Sequence, residues 1–287
     1  MSAQVASQSD SLGLSSSALP LLRDLIHERL GVLYDPARHE TLADRLAPLV
    51  IERGFDSYLD YYYLLKYDAA AAGEWLRVAD ALAVPETYFW REIDQVQAIV
   101  HHVIPELLRR HPYAPVRIWS VPCASGEEPL TIAMAAEEAG LFERGIVEIH
   151  GSDASPAAIE RARAGRYRER SFRSLPAPLK EKYFTAADEG WTARAALCHR
   201  IRSWTVVNLL SDADMALSPR PAVTFCRNVF IYFSPSAIQR VLAQFEARTP
   251  EPAYLCVGAS ESLLRVATRF ELEDIGGAFV YVKKGCV

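Results

Sequence analysis

The hydrophobic pattern of this 287-residue chain changes near Pro115, and that change constrains the fold more than any other feature. Before Pro115, apolar residues recur at helical spacing, which predicts helices over about 19–30, 40–53, 56–66, 72–82 and 92–110. After it, short apolar runs alternate with helical segments, which predicts a mostly parallel sheet with helices on both faces. We therefore divide the chain into a disordered leader at 1–18, a helical domain at 19–90 and an α/β domain at 91–287.

Two segments interrupt this alternation. The last two predicted strands, 269–272 and 279–282, are too close in sequence for a crossover helix, so they form an antiparallel hairpin. The segment 166–203 combines a short helix at 176–183 with strands at 191–195 and 197–201, which predicts a small inserted antiparallel β-subdomain. Residues 161–202 carry 11 Lys and Arg against 4 Asp and Glu. This basic segment either docks an acidic partner or forms a solvated surface.

Composition excludes several classes of protein. A net charge of −5 argues against a protein that coats nucleic acid, and no apolar run approaches the roughly 20 residues that cross a bilayer. The five cysteines are scattered without a CxxC pair, so neither a metal site nor a disulfide framework is predicted. The first 18 residues are Ser-rich and lack the basic start and apolar centre of a signal peptide. These features favour a cytoplasmic protein.

The turn after the first predicted strand, SVPCASGEEP (120–129), carries the first candidate site. Its small residues lie at the carboxyl end of the sheet, where a ligand can approach the backbone. Glu127 and Glu128 open the next helix and would repel a pyrophosphate, so a cationic ligand is favoured over a dinucleotide. Capping of the helix start explains the same two residues equally well.

Asp153, just beyond the second predicted strand, is the second candidate. A carboxylate there can accept hydrogen bonds from both hydroxyls of a ribose, although an Asp that caps a turn or a helix is the more common case. Together, the small-residue turn, Glu128 and Asp153 indicate a nucleoside that bears positive charge. S-adenosylmethionine fits that description.

Two further blocks bring polar residues toward the same region. CRNVFIYF (226–233) follows the fourth core strand, and Arg227, Asn228 and Tyr232 can face a ligand at that rim. The alternative is that the apolar residues of this block are core and Arg227 is a surface charge. PETYFWRE (85–92) lies where the helical region meets the sheet, a place where aromatic residues pack more often than they bind ligands.

These blocks, in this order, resemble the CheR-type chemotaxis receptor methyltransferases, which are protein-glutamate O-methyltransferases that use S-adenosylmethionine. The matching segments are PETYFWRE (85–92), WSVPCASGEEPLTIA (119–133), GSDASPAAIERARAGRYR (151–168), VNLL (207–210), CRNVFIYF (226–233) and VGASESL (257–263). The resemblance extends from about residue 20 to 284. It implies a class I S-adenosylmethionine-dependent methyltransferase fold, Rossmann-like, with an N-terminal all-α domain and the inserted β-subdomain.

The resemblance also implies site residues and partners. The implied cofactor contacts are Thr87, Arg91, Glu128, Asp153, Asn208, Leu209, Arg227 and Asn228, and Arg91 and Tyr232 are the residues closest to the transferred methyl group. The implied partner is the cytoplasmic domain of methyl-accepting chemotaxis-type receptors, with a receptor C-terminal peptide at the β-subdomain. We expect a monomer that binds no nucleic acid, does not insert into the membrane and uses no metal.

Two departures from the family pattern bear on the substrate. Pro85 stands where many members have Asn, and the helix at 40–53 mixes acidic with basic residues where enteric members are strongly basic. Pro48 is predicted to kink or interrupt that helix. Two other functions stay open at this point: a methyltransferase for nucleic acid or a small molecule, and a non-catalytic receptor-binding scaffold.

Overall fold

The computed structural model describes residues 18–35 and 39–285. Its N-terminal part folds into α1 (Ala18–Leu30), α2 (His39–Glu52), α3 (Tyr58–Tyr67) and α4 (Ala71–Leu82). Their apolar faces enclose a core of their own, with Leu22, Ile26, Leu46 and Tyr61 fully buried. The predicted leader lies outside the described residues except for Ala18, which belongs to α1.

Helix α2 continues through Pro48, so the predicted interruption is wrong. A proline in a helix removes one backbone donor and leaves the carbonyl four residues earlier without its partner. Here that carbonyl belongs to Asp44, and Asp44 and Pro48 are both exposed. Water can therefore bond to the carbonyl, while Leu46, Leu49 and Val50 stay buried and hold the helix against its neighbours.

A long helical segment joins the helical domain to the sheet. It consists of α5 (Ile93–Ala98), a π-helical turn (Ile99–Val103) and α6 (Ile104–Arg110). This agrees with the single helix predicted at 92–110. Its apolar residues, among them Val96, Ile99 and Ile104, are buried against the main core.

The remaining elements alternate as the sequence predicts. The strands are β1 (Val116–Ser120), β2 (Val147–Asp153), β3 (Arg166–Tyr167), β4 (Phe184–Ala187), β5 (Gly190–Ala193), β6 (Ile201–Val206), β7 (Val223–Phe225), β8 (Ala253–Cys256), β9 (Glu271–Ile275) and β10 (Ala278–Lys283). The helices are α7 (Glu127–Glu138), α8 (Leu141–Arg144), α9 (Pro156–Ala164), α10 (Ala177–Tyr183), α11 (Ala195–Cys198), α12 (Asp212–Leu217) and α13 (Pro235–Arg248).

Seven of these strands form the main sheet in the order β6-β2-β1-β7-β8-β10-β9. The first five are parallel, and β10 runs antiparallel to both β8 and β9. The predicted terminal hairpin is therefore confirmed, but its connection is shorter than expected. Only Gly276 and Gly277 separate the strands, with φ values of 61° and 86°. A two-residue turn with two positive φ values matches the twist of a hairpin, and glycine adopts it without strain.

The predicted insertion forms a second, three-stranded antiparallel sheet in the order β3-β5-β4. Phe89 lies in the connection 83–92 between α4 and α5. Its ring centroid lies within 5.1 Å of those of Tyr167, Phe172 and Phe184. The strand predicted at 197–201 is wrong. Residues 195–198 form α11, where two alanines favour a helix, and Ile201 begins β6 of the main sheet.

The helical domain lies over the carboxyl ends of β2, β6 and β7. The backbone amide of Leu33 donates to the carbonyl of Tyr232 at 2.8 Å, and Val32 forms a bridge with Phe233. Among the described residues, no helix is both long and apolar enough to span a membrane.

Candidate functional site

A cavity of about 560 Å³ lies between the helical domain and the carboxyl ends of the parallel strands. Residues from the helical domain, from the connection 83–92 and from the α/β domain line it. All nine residues predicted as site residues are among them: Thr87, Arg91, Glu128, Asp153, Asn208, Leu209, Arg227, Asn228 and Tyr232. Parallel strands bring their carboxyl ends to one edge, and this explains why residues so distant in sequence meet here.

The turn after β1 is held closed by Asp153. Its two carboxylate oxygens accept hydrogen bonds from the backbone amides of Ala124 and Ser155, both at 2.9 Å. Burial raises the pKa of this carboxyl group, and the two amides oppose the rise. Gly126 follows in a left-handed conformation, and a Cβ there would lie 3.0 Å from Ala162 and from Trp204. The turn therefore needs small residues, and Asp153 both caps it and lines the cavity.

The two acidic residues that open α7 have different environments. Glu127 is 2% exposed and accepts hydrogen bonds from the hydroxyls of Ser125 and Ser171, so it links the turn to the inserted subdomain. Glu128 lines the cavity and accepts from the hydroxyl of Ser120 at 2.6 Å. Burial raises the pKa of both carboxyl groups, and Arg227 opposes the rise at Glu128.

Arg227 is a buried cation at the centre of the site, 5% exposed. Its guanidinium lies 3.1 Å from Glu128 and 3.0 Å from Glu92, and it donates to the carbonyl of Arg91 at 2.8 Å. Burial lowers its pKa, but the two carboxylates outweigh burial and the net shift is upward. Its Nε is buried without a hydrogen-bond partner in the described part of the chain. The surface-charge interpretation of Arg227 is therefore wrong.

Arg91 and Tyr232 line the cavity and are partly exposed. The Arg91 side chain is 27% exposed and donates to the carbonyl of Glu86 at 3.1 Å. Its guanidinium lies 5.5 Å from the ring centre of Tyr88. Tyr232 ends a single 3-10 turn, Phe230–Tyr232, and is 37% exposed. A guanidinium and a phenol therefore line the same cavity.

Asn208 has a further contact that the sequence did not indicate. Its side-chain Nδ2 donates to the carbonyl of Arg29 in α1 at 2.8 Å, and its side-chain Oδ1 accepts from the backbone amide of Leu210 at 3.0 Å. Tyr34 and Arg45 of the helical domain also line the cavity and were not predicted. No motif marks these contacts, because they depend on how two separately folded regions meet.

Comparison with known proteins identifies the family of the chain. Residues 17–83 match a family described as "CheR methyltransferase, all-alpha domain", and residues 85–277 match "CheR methyltransferase, SAM binding domain". The chain belongs to the CheR methyltransferase family. It is 30% identical over 263 residues to chemotaxis protein methyltransferase 2 of Vibrio cholerae, with 91% of each chain covered. It is 27% identical over 280 residues to chemotaxis protein methyltransferase 1 of Pseudomonas aeruginosa, covering 95% of this chain and 100% of that one.

The family identifies the ligand class of the cavity. The chain is an S-adenosylmethionine-dependent methyltransferase with a class I sheet and an N-terminal all-α domain. The cavity fits the donor: the acidic Asp153 and Glu128 suit a ribose and a positive charge, and the unpartnered Nε of Arg227 suits an acceptor such as a carboxylate.

Proposed function

We propose that this chain transfers methyl groups from S-adenosylmethionine to glutamate side chains in the cytoplasmic domains of chemotaxis-type receptors. The products are glutamyl methyl esters. The observation that carries the proposal is that Arg91 and Tyr232 both line the cavity of a CheR-family chain. Relatives named chemotaxis protein methyltransferase support the class of substrate.

The residues that line the cavity divide into two groups in this proposal. Thr87, Glu128, Asp153, Asn208, Leu209, Arg227 and Asn228 hold the donor, and Arg91 contacts both donor and acceptor. When bound, S-adenosylmethionine supplies a methyl group on a positively charged sulfur; transfer forms a carbon–oxygen bond, breaks the carbon–sulfur bond and leaves S-adenosylhomocysteine. Arg227 stays charged and keeps Glu92 and Glu128 in place.

The acceptor needs positioning more than activation. A glutamate side chain has a reference pKa near 4.3, so it is already ionised near neutral pH and requires no general base. We propose that Arg91 orients this carboxylate while Tyr232 donates a hydrogen bond or forms the wall of the methyl pocket. Orientation of reacting groups can contribute up to roughly 7–11 kcal/mol in well-aligned cases. Exclusion of water by the helical domain strengthens the attraction between the opposite charges.

The test is transfer of tritiated methyl groups to receptor-containing membranes. We expect alkali-labile label, because esters hydrolyse in base, and we expect Arg91→Ala to abolish transfer at saturating donor. Arg109→Ala is the matched control, since the Arg109 side chain is exposed on α6, away from the cavity, and its loss should leave transfer unchanged. Base-stable label would indicate another acceptor, and absence of label on every receptor would favour a non-catalytic scaffold.

We further propose that the inserted subdomain binds an acidic C-terminal segment of the receptor. Several of its cations are already paired, among them Lys180 with Glu169. Arg166, Arg168 and Arg170 are exposed and have no ion pair with any described residue. Replacing these three with glutamine should weaken binding of acidic receptor-tail peptides and reduce its dependence on salt. Equal binding by the triple variant would contradict the proposal.

A further inference from the structure

Glu261 is a buried carboxylate to which the sequence assigned no role. It lies after β8 within the block VGASESL and is 9% exposed. One of its oxygens accepts hydrogen bonds from the amides of Gly258 at 2.6 Å and Asn228 at 2.8 Å. The other oxygen accepts from the amide of Ile231 at 3.3 Å. A single side chain therefore binds three backbone donors.

Two of these donors belong to the Tyr232 loop, which we define as residues 226–233. This segment follows β7 and lies outside any strand, so the amides of Asn228 and Ile231 gain no partner from the sheet. Asn228 also has a φ of 61°, a left-handed conformation that few residues other than glycine adopt. Asn228 is half-buried, so its amide needs an acceptor, and a carboxylate oxygen supplies one here. Ile231 is exposed, and its amide forms the longer of the two bonds.

The residues around Glu261 are closely packed. A Cβ on Gly258 would lie 2.5 Å from Nδ2 of Asn228 and 2.9 Å from Oε2 of Glu261, so glycine allows the two segments to approach. On the other side, the Arg227 side chain bonds to Glu92 and Glu128. Arg227 therefore holds the start of the loop, Glu261 holds its middle, and the hydrogen bond from Leu33 to the carbonyl of Tyr232 holds its end.

We propose that Glu261 is a positioning residue that helps to fix the conformation of the Tyr232 loop and thereby places Tyr232 in the lining of the donor cavity. The inference rests on the role proposed above for Tyr232. It assigns Glu261 no contact with donor or acceptor: Glu261 acts through the backbone of Asn228 and Ile231. Displacement of a reacting group by about 1 Å can cost on the order of 100-fold in rate, so a small movement of this loop would be measurable.

The experiment compares Glu261→Gln with Glu271→Gln, a control on the exposed strand β9. Hydrogen exchange reports the loop directly, and we expect the amides of Asn228 and Ile231 to exchange roughly tenfold faster in Glu261→Gln only. We expect kcat for methyl transfer to fall roughly tenfold or more, and because Asn228 also lines the donor cavity, we expect the Kd for S-adenosylhomocysteine to rise by a smaller factor.

A second variant tests the same contact in case Glu261→Gln does not fold. Gly258→Ala retains the carboxylate but crowds Asn228, and it should give the same pattern of fast local exchange and reduced kcat. A folded Glu261→Gln protein with wild-type exchange at Asn228, or with wild-type kcat, would overturn the inference, as would a loss confined to Kd. A wild type that esterifies no receptor would overturn the proposed function alone, since the exchange measurement tests Glu261 without an acceptor.

Discussion

At the scale of single residues, Glu128 offers a direct test of how the donor is held. Glu128→Gln keeps the shape of the side chain and removes its charge next to Arg227. A charge-assisted hydrogen bond contributes about 1.5–3 kcal/mol, so the Kd for S-adenosylmethionine should rise roughly tenfold to 100-fold. Glu127→Gln is the matched control, because Glu127 is its buried neighbour but does not line the cavity. Calorimetry that finds equal losses for both variants would contradict the assignment.

The pH dependence of donor binding follows from the same residues. Burial raises the pKa of Glu128 and of Asp153 in the ligand-free site. A cationic donor favours the ionised carboxylates, so its binding lowers these pKa values and releases protons. Affinity should therefore fall as the pH is lowered from about 8 to about 5. Titrations in buffers of different ionisation enthalpy measure the proton release, and Glu128→Gln should reduce it.

The sequence predicted residues that line the cavity, and the family resemblance selected Glu128, but the residue pattern alone did not distinguish the orientations of neighbouring side chains. Strand ends predicted that Asp153 and Arg227 would meet, because parallel strands finish at one edge. Glu127 and Glu128 are consecutive on a helix, where neighbours point about 100° apart, and only packing decides which of them faces the cavity. Glu261 lies in the matching segment VGASESL, but nothing in that segment indicates its role, since its backbone partner Asn228 is distant in sequence.

At the scale of elements, we expect replacement of glycine by alanine to change the free energy of unfolding in opposite directions at two positions. Gly151 lies in β2, and a Cβ there would come within 2.4 Å of the Trp204 ring on the neighbouring strand β6. Gly151→Ala should lower the free energy of unfolding by about 1–3 kcal/mol, because the packed ring must move. Gly73 lies in α4 with no atom within 4 Å of its Cβ position. Gly73→Ala should raise the free energy of unfolding by about 0.5–1 kcal/mol. Urea denaturation measures both changes, and the same sign for both would contradict the packing described.

The elements that the sequence predicted well are those with a strong period. Helices α1 to α4 repeat their apolar residues over several turns. The strands of the parallel sheet alternate with helices along the chain. The error at 197–201 arose in a short apolar run, where periodicity does not separate a strand from a helix. There the alanines at 195 and 196 favoured α11, and pairing of Ile201 with Ile149 placed β6 in the main sheet.

At the scale of the whole molecule, a side chain of the helical domain reaches the site through α9. Asp80 in α4 accepts hydrogen bonds from the hydroxyl of Ser155 and, at 3.0 Å, from the amide of Ala157. Ser155 in turn donates its amide to Asp153. The start of a helix favours negative charge, so Asp80 stabilises α9 from another domain. The sequence could not predict this contact, because 75 residues separate Asp80 from Ser155.

Asp80→Ala should therefore weaken both the contact between the two domains and the binding of the donor. Loss of a helix cap typically costs about 1 kcal/mol, so the melting temperature should fall, and the less constrained Asp153 should weaken binding of S-adenosylhomocysteine several-fold. The exposed Asp56 lies in the same domain, and Asp56→Ala should change neither quantity. Because a ligand that binds only the folded state stabilises it by mass action, saturating S-adenosylhomocysteine should recover much of the lost melting temperature in Asp80→Ala. If Asp80→Ala lowers the melting temperature but leaves the affinity for S-adenosylhomocysteine at the wild-type value, then Asp80 stabilises α9 without affecting Asp153.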